Sequence, residues 1–275
     1  MLLRQILEEG SLEVSIDKKT NIVSNPFVFI GIISLIASLI LSVTYVFTKE
    51  RVDENKKLDI MKNVLLCRYL EESDKYIDKL STPNVIESEY DKAIEQVLYY
   101  ENGTKVVKSL DFSKLEWKEN KADGSMYFFF KNEPEKKYLP LFKVKADNGY
   151  IIPISGKGLW STIKGFLYLS KDLSKIKGIS FYSHGETPGL GGEIDKVAVK
   201  MRYFDKAVDL SDANVKVATM VKSPSNDSDF ELQYISGATI TSEGLNYFIK
   251  RDLEKYRAIL LCEHDSSNCI ESSGK

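Results

Sequence analysis

Histidine and cysteine are scarce in this chain: two histidines (His184, His264) and three cysteines (Cys67, Cys262, Cys269) among 275 residues. A disulfide framework or a multi-metal centre needs more of both. Cys262, His264 and Cys269 offer three donors where structural zinc takes four, so an exposed polar tail, or one disulfide in an oxidising compartment, is the better reading. Excess charge of one sign is also missing. The net charge is −2, which gives no electrostatic footprint for nucleic acid. No Gly-Lys-Ser/Thr closes a P-loop, and no G-x-G-x-x-G spacing marks a dinucleotide-binding turn.

What is present starts with a long apolar run. Phe27 to Phe47, "FVFIGIISLIASLILSVTYVF", is 21 residues without a charge. As a helix it spans roughly 30 Å, the hydrocarbon thickness of a bilayer. It is too long for the apolar stretch of a signal peptide, and no small-x-small cleavage site follows. The run is read as a retained membrane anchor, with residues 1–26 as a short polar tail and Pro26 in the helix's first turn. Lys18 and Lys19 precede it, and Lys49, Arg51, Lys56 and Lys57 follow. That count places the large domain in the cytoplasm, but the rule weakens for long domains, so charge alone leaves the side open.

After the anchor, Leu58, Met61 and Leu65 predict a helix over Glu50–Leu70. Tyr90, Ile94, Val97 and Leu98 predict a second over Ser88–Tyr100. From about residue 104 the period changes. "SMYFFFK", "YIIPI", "FLYLS" and "IKGISFY" are short aromatic and β-branched runs broken by Gly, Asp and Asn, as strands are. "VKVATMVK" and "LQYI" give the last two strands. Leu245, Phe248, Ile249, Leu253 and Tyr256 then line one face of a final helix.

Two loops between these strands are rich in glycine. His184–Glu193, "HGETPGLGGE", holds four glycines in ten residues, a composition that lets backbone N–H groups approach a ligand. Its His184 and Glu186 are either an acid–base pair or residues shaping the loop. The second reading is preferred, because no nucleophile accompanies them. "GKGLW" sets Trp160 on a glycine-flanked turn, as core or as an aromatic platform, with Leu159 and Leu190 able to cover part of a planar ring.

"YISGATITSEGL" (234–245) places Ser236, Gly237, Ala238 and Thr239 just ahead of the final helix. One reading is a helix cap. The other is a phosphate site: a helix N-terminus offers unpaired N–H groups and partial positive charge, and Thr239 adds a hydroxyl that contacts a phosphate or is esterified to it.

This stretch resembles the flavinylation motif of the FMN-binding domain family, in which the threonine of Ser/Thr-Gly-Ala-Thr carries FMN through a phosphoester. "GKGLWSTIKGFLYL" and "FYSHGETPGLGGEI" look like the two other signature loops of the C-subunit family of Na⁺-translocating NADH:quinone reductases. The related G subunit of the Rnf complex shares the threonine motif. The resemblance runs over essentially the whole chain and is strongest from Gly156 to Leu245. It implies covalent FMN on Thr239, with Ser236, Gly237, Ala238 and Thr241 shaping the phosphate pocket. Leu159 and Trp160 pack near the isoalloxazine, and Glu186, Thr187, Gly189 and Leu190 form the opposing loop. No catalytic residue or metal site is implied in the chain itself.

The implied fold is α+β: a single transmembrane helix (27–47), a helical membrane-proximal region (48–103), and an FMN-binding domain (104–260) with a twisted, mainly antiparallel sheet. A polar tail (261–275) follows. The implied role is electron relay in a membrane complex that oxidises NADH, reduces quinone and exports Na⁺. Its implied partners are the complex's B subunit, the subunits bearing metal centres and a maturing flavin transferase, and nucleic acid is not among them. The implied location is the bacterial inner membrane, with the flavin domain facing the periplasm. The alternatives are an Rnf-type or other membrane-anchored carrier of covalent FMN, and a non-redox anchored scaffold whose small residues only cap a helix.

Overall fold

In the computed structural model, residues 25–106 and 114–265 are described. The chain divides into two units, residues 1–54 and 55–275. Helix α1 (Pro26–Arg68) begins in the first unit and ends in the second. Within it, Pro26–Lys49 has a mean hydropathy of 2.6 and is long and apolar enough to cross a membrane. Its Ile30, Leu35, Leu39 and Leu41 are exposed, which suits a lipid-facing helix and not a soluble core helix.

The second unit is built on a seven-stranded sheet. Its strands are β1 (Ile94–Tyr100), β2 (Leu115–Glu119), β3 (Met126–Phe130), β4 (Glu133–Val144), β5 (Tyr150–Lys157), β6 (Thr162–Leu169) and β7 (Ile176–Ser183). They run β2-β3-β4-β5-β6-β7, with β1 also paired to β4, and every pairing is antiparallel. Short polar connections such as Lys145–Gly149 and Ser170–Lys175 make that arrangement the natural one. A short antiparallel pair, β8 (Val208–Asp209) with β9 (Lys216–Val217), follows the sheet. A small parallel pair joins β10 (Thr219–Val221) and β11 (Glu231–Gln233); the expected strand "VKVATMVK" is thus split between β9 and β10, and "LQYI" overlaps β11. The helices after α1 are α2 (Ser73–Lys79), α3 (Pro83–Ala93), α4 (Val197–Lys200) and the final α5 (Thr239–His264).

Both faces of the central strands are covered. Ile152 and Ile154 of β5 join Leu167 and Ile179 in a core with Leu245, Phe248, Ile249 and Leu253 of α5. Their neighbour Ile151 points the other way, with Phe166 and Tyr168, against Met61, Val64 and Leu65 of α1 and Tyr90 of α3. Strand alternation thus feeds two cores. Helix α5 lies close on β5: a Cβ at Gly156 would fall 2.3 Å from Phe248 Cβ, and one at Gly244 would fall 2.3 Å from the Lys157 carbonyl oxygen. This contact sets the first turns of α5 beside the β5–β6 loop.

Two expectations change. The predicted helix over Ser88–Tyr100 is a helix only to Ala93, and Ile94–Tyr100 is strand β1. Its apolar spacing fits a helix face, but the edge of β4 takes all seven residues into register, from Ile94↔Val144 to Tyr100↔Tyr138. Tertiary pairing overrides local pattern here. Helix α5 also runs past the expected start of the polar tail to His264, because Leu261 packs on the core and the partly buried Glu263 is tied to Lys105, Lys143 and Tyr99.

Candidate functional site

The approach to α5 is fixed from behind. Arg202 Nη1 donates to the carbonyls of Gln233 (2.9 Å) and Tyr234 (3.1 Å). Ser242 on the first turn accepts from the Ile235 N–H (3.1 Å) and donates to the Ala238 carbonyl (2.9 Å). Gly237 sits at φ +70°, and a Cβ there would lie 2.7 Å from Leu190 Cδ2. Glycine is therefore favoured at this position by the left-handed backbone, and it also lets Leu190 lie close.

These contacts leave the front of the helix bare. Its N-cap is Ala238, with no side-chain cap bond, so the helix-cap reading of the Ser and Thr residues fails. Ser236 and Thr239 are exposed. Among the described residues no side chain or backbone group bonds the Thr239 hydroxyl. The first N–H groups of α5 therefore face outward beside a free hydroxyl, with the positive end of the helix dipole behind them.

Around this point the three signature loops meet. Trp160 is 71% exposed, Leu159 47% and Leu190 44%. Ile240, next to Thr239, is 55% exposed and extends the apolar rim. Ile240 is not among the residues that the sequence motifs single out; an apolar side chain off the buried face of the final helix was its only signal. Thr187 is exposed, and its carbonyl accepts from the N–H groups of Leu190 (3.1 Å) and Gly192 (2.9 Å). Gly189 adopts φ +79° in that turn.

Glu186 and Thr241 are placed differently from the other candidates. Both are buried, and they bond each other: the Thr241 hydroxyl donates to Glu186 Oε2 at 2.6 Å. Oε2 also accepts from Leu159 N at 3.1 Å, and Oε1 accepts from Trp160 N at 2.9 Å and Ser161 N at 3.2 Å. Burial works against the Glu186 charge, but Thr241 and the three backbone N–H groups outweigh it and hold the carboxyl below its ordinary range. These two residues sit behind the exposed face and tie it together. Gly158 and Gly191 give the carboxylate its space, since a Cβ at either would come within 2.6–2.8 Å of a Glu186 oxygen.

His184 is a loop-shaping residue. Its Nδ1 accepts from the Glu186 N–H (3.2 Å), so Nε2 carries the proton toward Asp195 Oδ2 at 2.8 Å. Cys262 is disulfide-bonded, while Cys67 is free and buried; Cys269 lies outside the described residues. Groups of three or more metal-ligating side chains are absent among the described residues. The face formed by Leu159, Trp160, Leu190 and Ile240 is exposed. A cleft of about 360 Å³, lined by Glu101, Glu119, Lys121 and Lys137 among others, includes no residue of the three loops.

Residues 158–254 match the FMN-binding domain family. The chain is 29% identical over 237 residues to the C subunit of the Na(+)-translocating NADH-quinone reductase of Haemophilus ducreyi, an alignment covering 83% of this chain and 88% of that protein. It is 38% identical over 119 residues to the C subunit from Pseudomonas aeruginosa, with 40% of this chain and 45% of that one aligned. The crystal structure of the C subunit from Parabacteroides distasonis superposes with a TM-score of 0.55 at 26% identity, over 78% of this chain and 95% of that one.

Proposed function

The chain belongs to the C-subunit family of Na⁺-translocating NADH-quinone reductases and carries its FMN-binding domain, and from that premise we propose that it relays electrons through FMN esterified to Thr239. The observation that carries this reading is the exposed, unpartnered Thr239 hydroxyl on an uncapped helix N-terminus, framed by Leu159, Trp160 and Leu190.

The donor set fits a flavin mononucleotide. The N–H groups at the start of α5, with Ser236 and Gly237 alongside, suit the anionic oxygens of a phosphodiester. The exposed Trp160 ring and the Leu159 and Leu190 side chains suit a planar apolar ring. Bound FMN supplies reversible electron transfer, while the protein supplies attachment, orientation and exclusion of water from the ring faces. An open face buries little of a ligand, so affinity from contacts alone is low. A covalent link at Thr239 removes that limit, and the exposed setting leaves the ring edge within reach of a redox partner.

In this reading the Pro26–Lys49 segment anchors the chain as a single pass in a bacterial inner membrane, with the flavin domain on the periplasmic side. NADH oxidation, quinone reduction and Na⁺ movement belong to partner subunits, since Phe27–Phe47 holds no charge and a dinucleotide-binding turn is lacking. The B subunit of the complex and the subunits bearing metal centres are the expected electron partners, and a flavin transferase installs the cofactor.

The test is a denaturing gel of the full chain co-expressed with a flavin transferase, viewed under ultraviolet light. Wild type gives a fluorescent band, and Thr239→Ala gives none, with the mass of an esterified FMN missing from the intact chain. A dark wild-type band overturns the reading.

A further inference from the structure

Four donors converge on one carboxylate behind the exposed face, and they come from a loop and a helix far apart in sequence. Leu159, Trp160 and Ser161 donate three successive backbone N–H groups, and Thr241 donates its hydroxyl from the first turn of α5. Successive N–H groups turned to one point form an anion-binding nest. Here the chain fills the nest with its own glutamate.

Among the side chains of the β5–β6 loop, Ser161 accepts from the Gly185 N–H, but Leu159 and Trp160 do not hold the loop themselves. Leu159 and Trp160 are largely exposed, so little burial holds the loop. Its own turn bond, Gly158 N–H to the Ser161 carbonyl at 2.8 Å, closes the loop, and Gly244 of α5 touches only its start at Lys157, so neither contact fixes Leu159 and Trp160. Glu186 supplies that reference, because the same oxygen that accepts from Leu159 N accepts from Thr241, two residues beyond Thr239.

We propose that Glu186 is the positioning residue of the flavin site: its carboxylate sets Leu159 and Trp160 against Thr239 before FMN arrives, and by filling the nest it leaves the start of α5 as the place for the phosphate. This rests on the assignment of Thr239 as the attachment point. The charge and the two acceptor oxygens are both needed. In Glu186→Gln an NH₂ group replaces one oxygen and faces at least one backbone N–H that has no other acceptor. The volume is unchanged, so the core is not disturbed.

The experiment compares full-length wild type, Glu186→Gln, Thr241→Val and Thr241→Ser, each purified in the same detergent. Flavin-free chains are read by amide hydrogen exchange at residues 159–161. Chains co-expressed with a flavin transferase are read by covalent flavin per chain at early times and by the visible circular dichroism of the attached flavin. In Glu186→Gln, exchange at the three amides rises and covalent incorporation slows, each by about tenfold, and the flavin dichroism changes. Thr241→Val moves the same readouts less, and Thr241→Ser, which keeps the donor, restores them.

Wild-type exchange at residues 159–161 in Glu186→Gln overturns the proposal. So does wild-type incorporation with unchanged dichroism. If Glu186→Gln does not fold, the Thr241 pair decides: a Val variant equal to the Ser variant in all three readouts overturns it. If wild type itself carries no flavin, the Thr239 assignment falls and the positioning of a flavin falls with it, while the exchange data still show whether Glu186 orders the loop.

Discussion

The two ends of α5 are each held by one glutamate, buried at Glu186 and partly buried at Glu263, and the partners differ. At the C-terminal end, Glu263 binds Lys105 and Lys143, each at 2.8 Å, and accepts from the Tyr99 hydroxyl. Its own carbonyl accepts from Tyr150 Oη at 3.0 Å. At the N-terminal end, Glu186 accepts only from neutral groups, three backbone N–H and one hydroxyl. A lysine can follow a displaced carboxylate, because its ammonium is mobile and Coulomb attraction falls slowly with distance. A backbone N–H cannot, because hydrogen bonding weakens steeply with angle. One end is therefore stapled against unfolding, and the other is set in place for geometry. The exposed threonine lies at the second.

The contrast can be broken most severely at Gly244, where α5 touches the Lys157 carbonyl. Gly244→Ala gains roughly 1 kcal/mol of helix propensity but forces the helix off β5, for a net loss of about 2 kcal/mol. Denaturant melts of the full chain in detergent measure it. Because the first turns of α5 shift, covalent flavin incorporation falls as well. A variant as stable as wild type shows that the helix front is adjustable and weakens the contrast.

Glu263→Gln comes next, with a loss of about 1–2 kcal/mol, discounted because Lys105 is half exposed. Flavin incorporation stays at the wild-type rate. The acid limb sharpens the point. Burial opposes the Glu263 charge, but Lys105, Lys143 and Tyr99 outweigh it and lower the carboxyl from 4.5 to about 2. A lowered carboxyl stabilises the fold fully above the unfolded value and ceases to do so as pH falls through the folded one. Thermal melts from pH 7 to pH 2 are expected to show the gap between wild type and Glu263→Gln closing between about pH 4.5 and pH 2.

Trp160→Ala has the smallest effect on stability, within about 0.5 kcal/mol, since an exposed side chain leaves little behind. Its effect is on the flavin: the fluorescence anisotropy of the attached ring falls as one of its walls is lost. A large drop in melting temperature places Trp160 in the core, against its 71% exposure.

Much of the site is legible in the residues alone. Runs of glycine and small residues at "GKGLW", "HGETPGLGG" and "SGAT" are costly in a packed core unless the backbone needs the space, so they stand out as loops that meet something. The apolar face of α5 is legible as well, from Leu245 to Tyr256, because helical period and burial agree there. Glu186 is legible as a member of its loop and not as its hub. Its partner Thr241 lies 55 residues away, and no local pattern carries that pairing.

What the sequence determined by itself is therefore local: the uncharged apolar run Phe27–Phe47, the strand runs, the final helix and the short segments able to take unusual backbone. Each follows from residue chemistry within one or two turns of chain. The tertiary structure alone decided that Ile94–Tyr100 pairs with β4 instead of continuing α3, and that Thr241 turns inward to a carboxylate while Thr239, two residues earlier, faces out. Both outcomes depend on which distant partner is within hydrogen-bonding reach, and that distance exists only once the chain is folded.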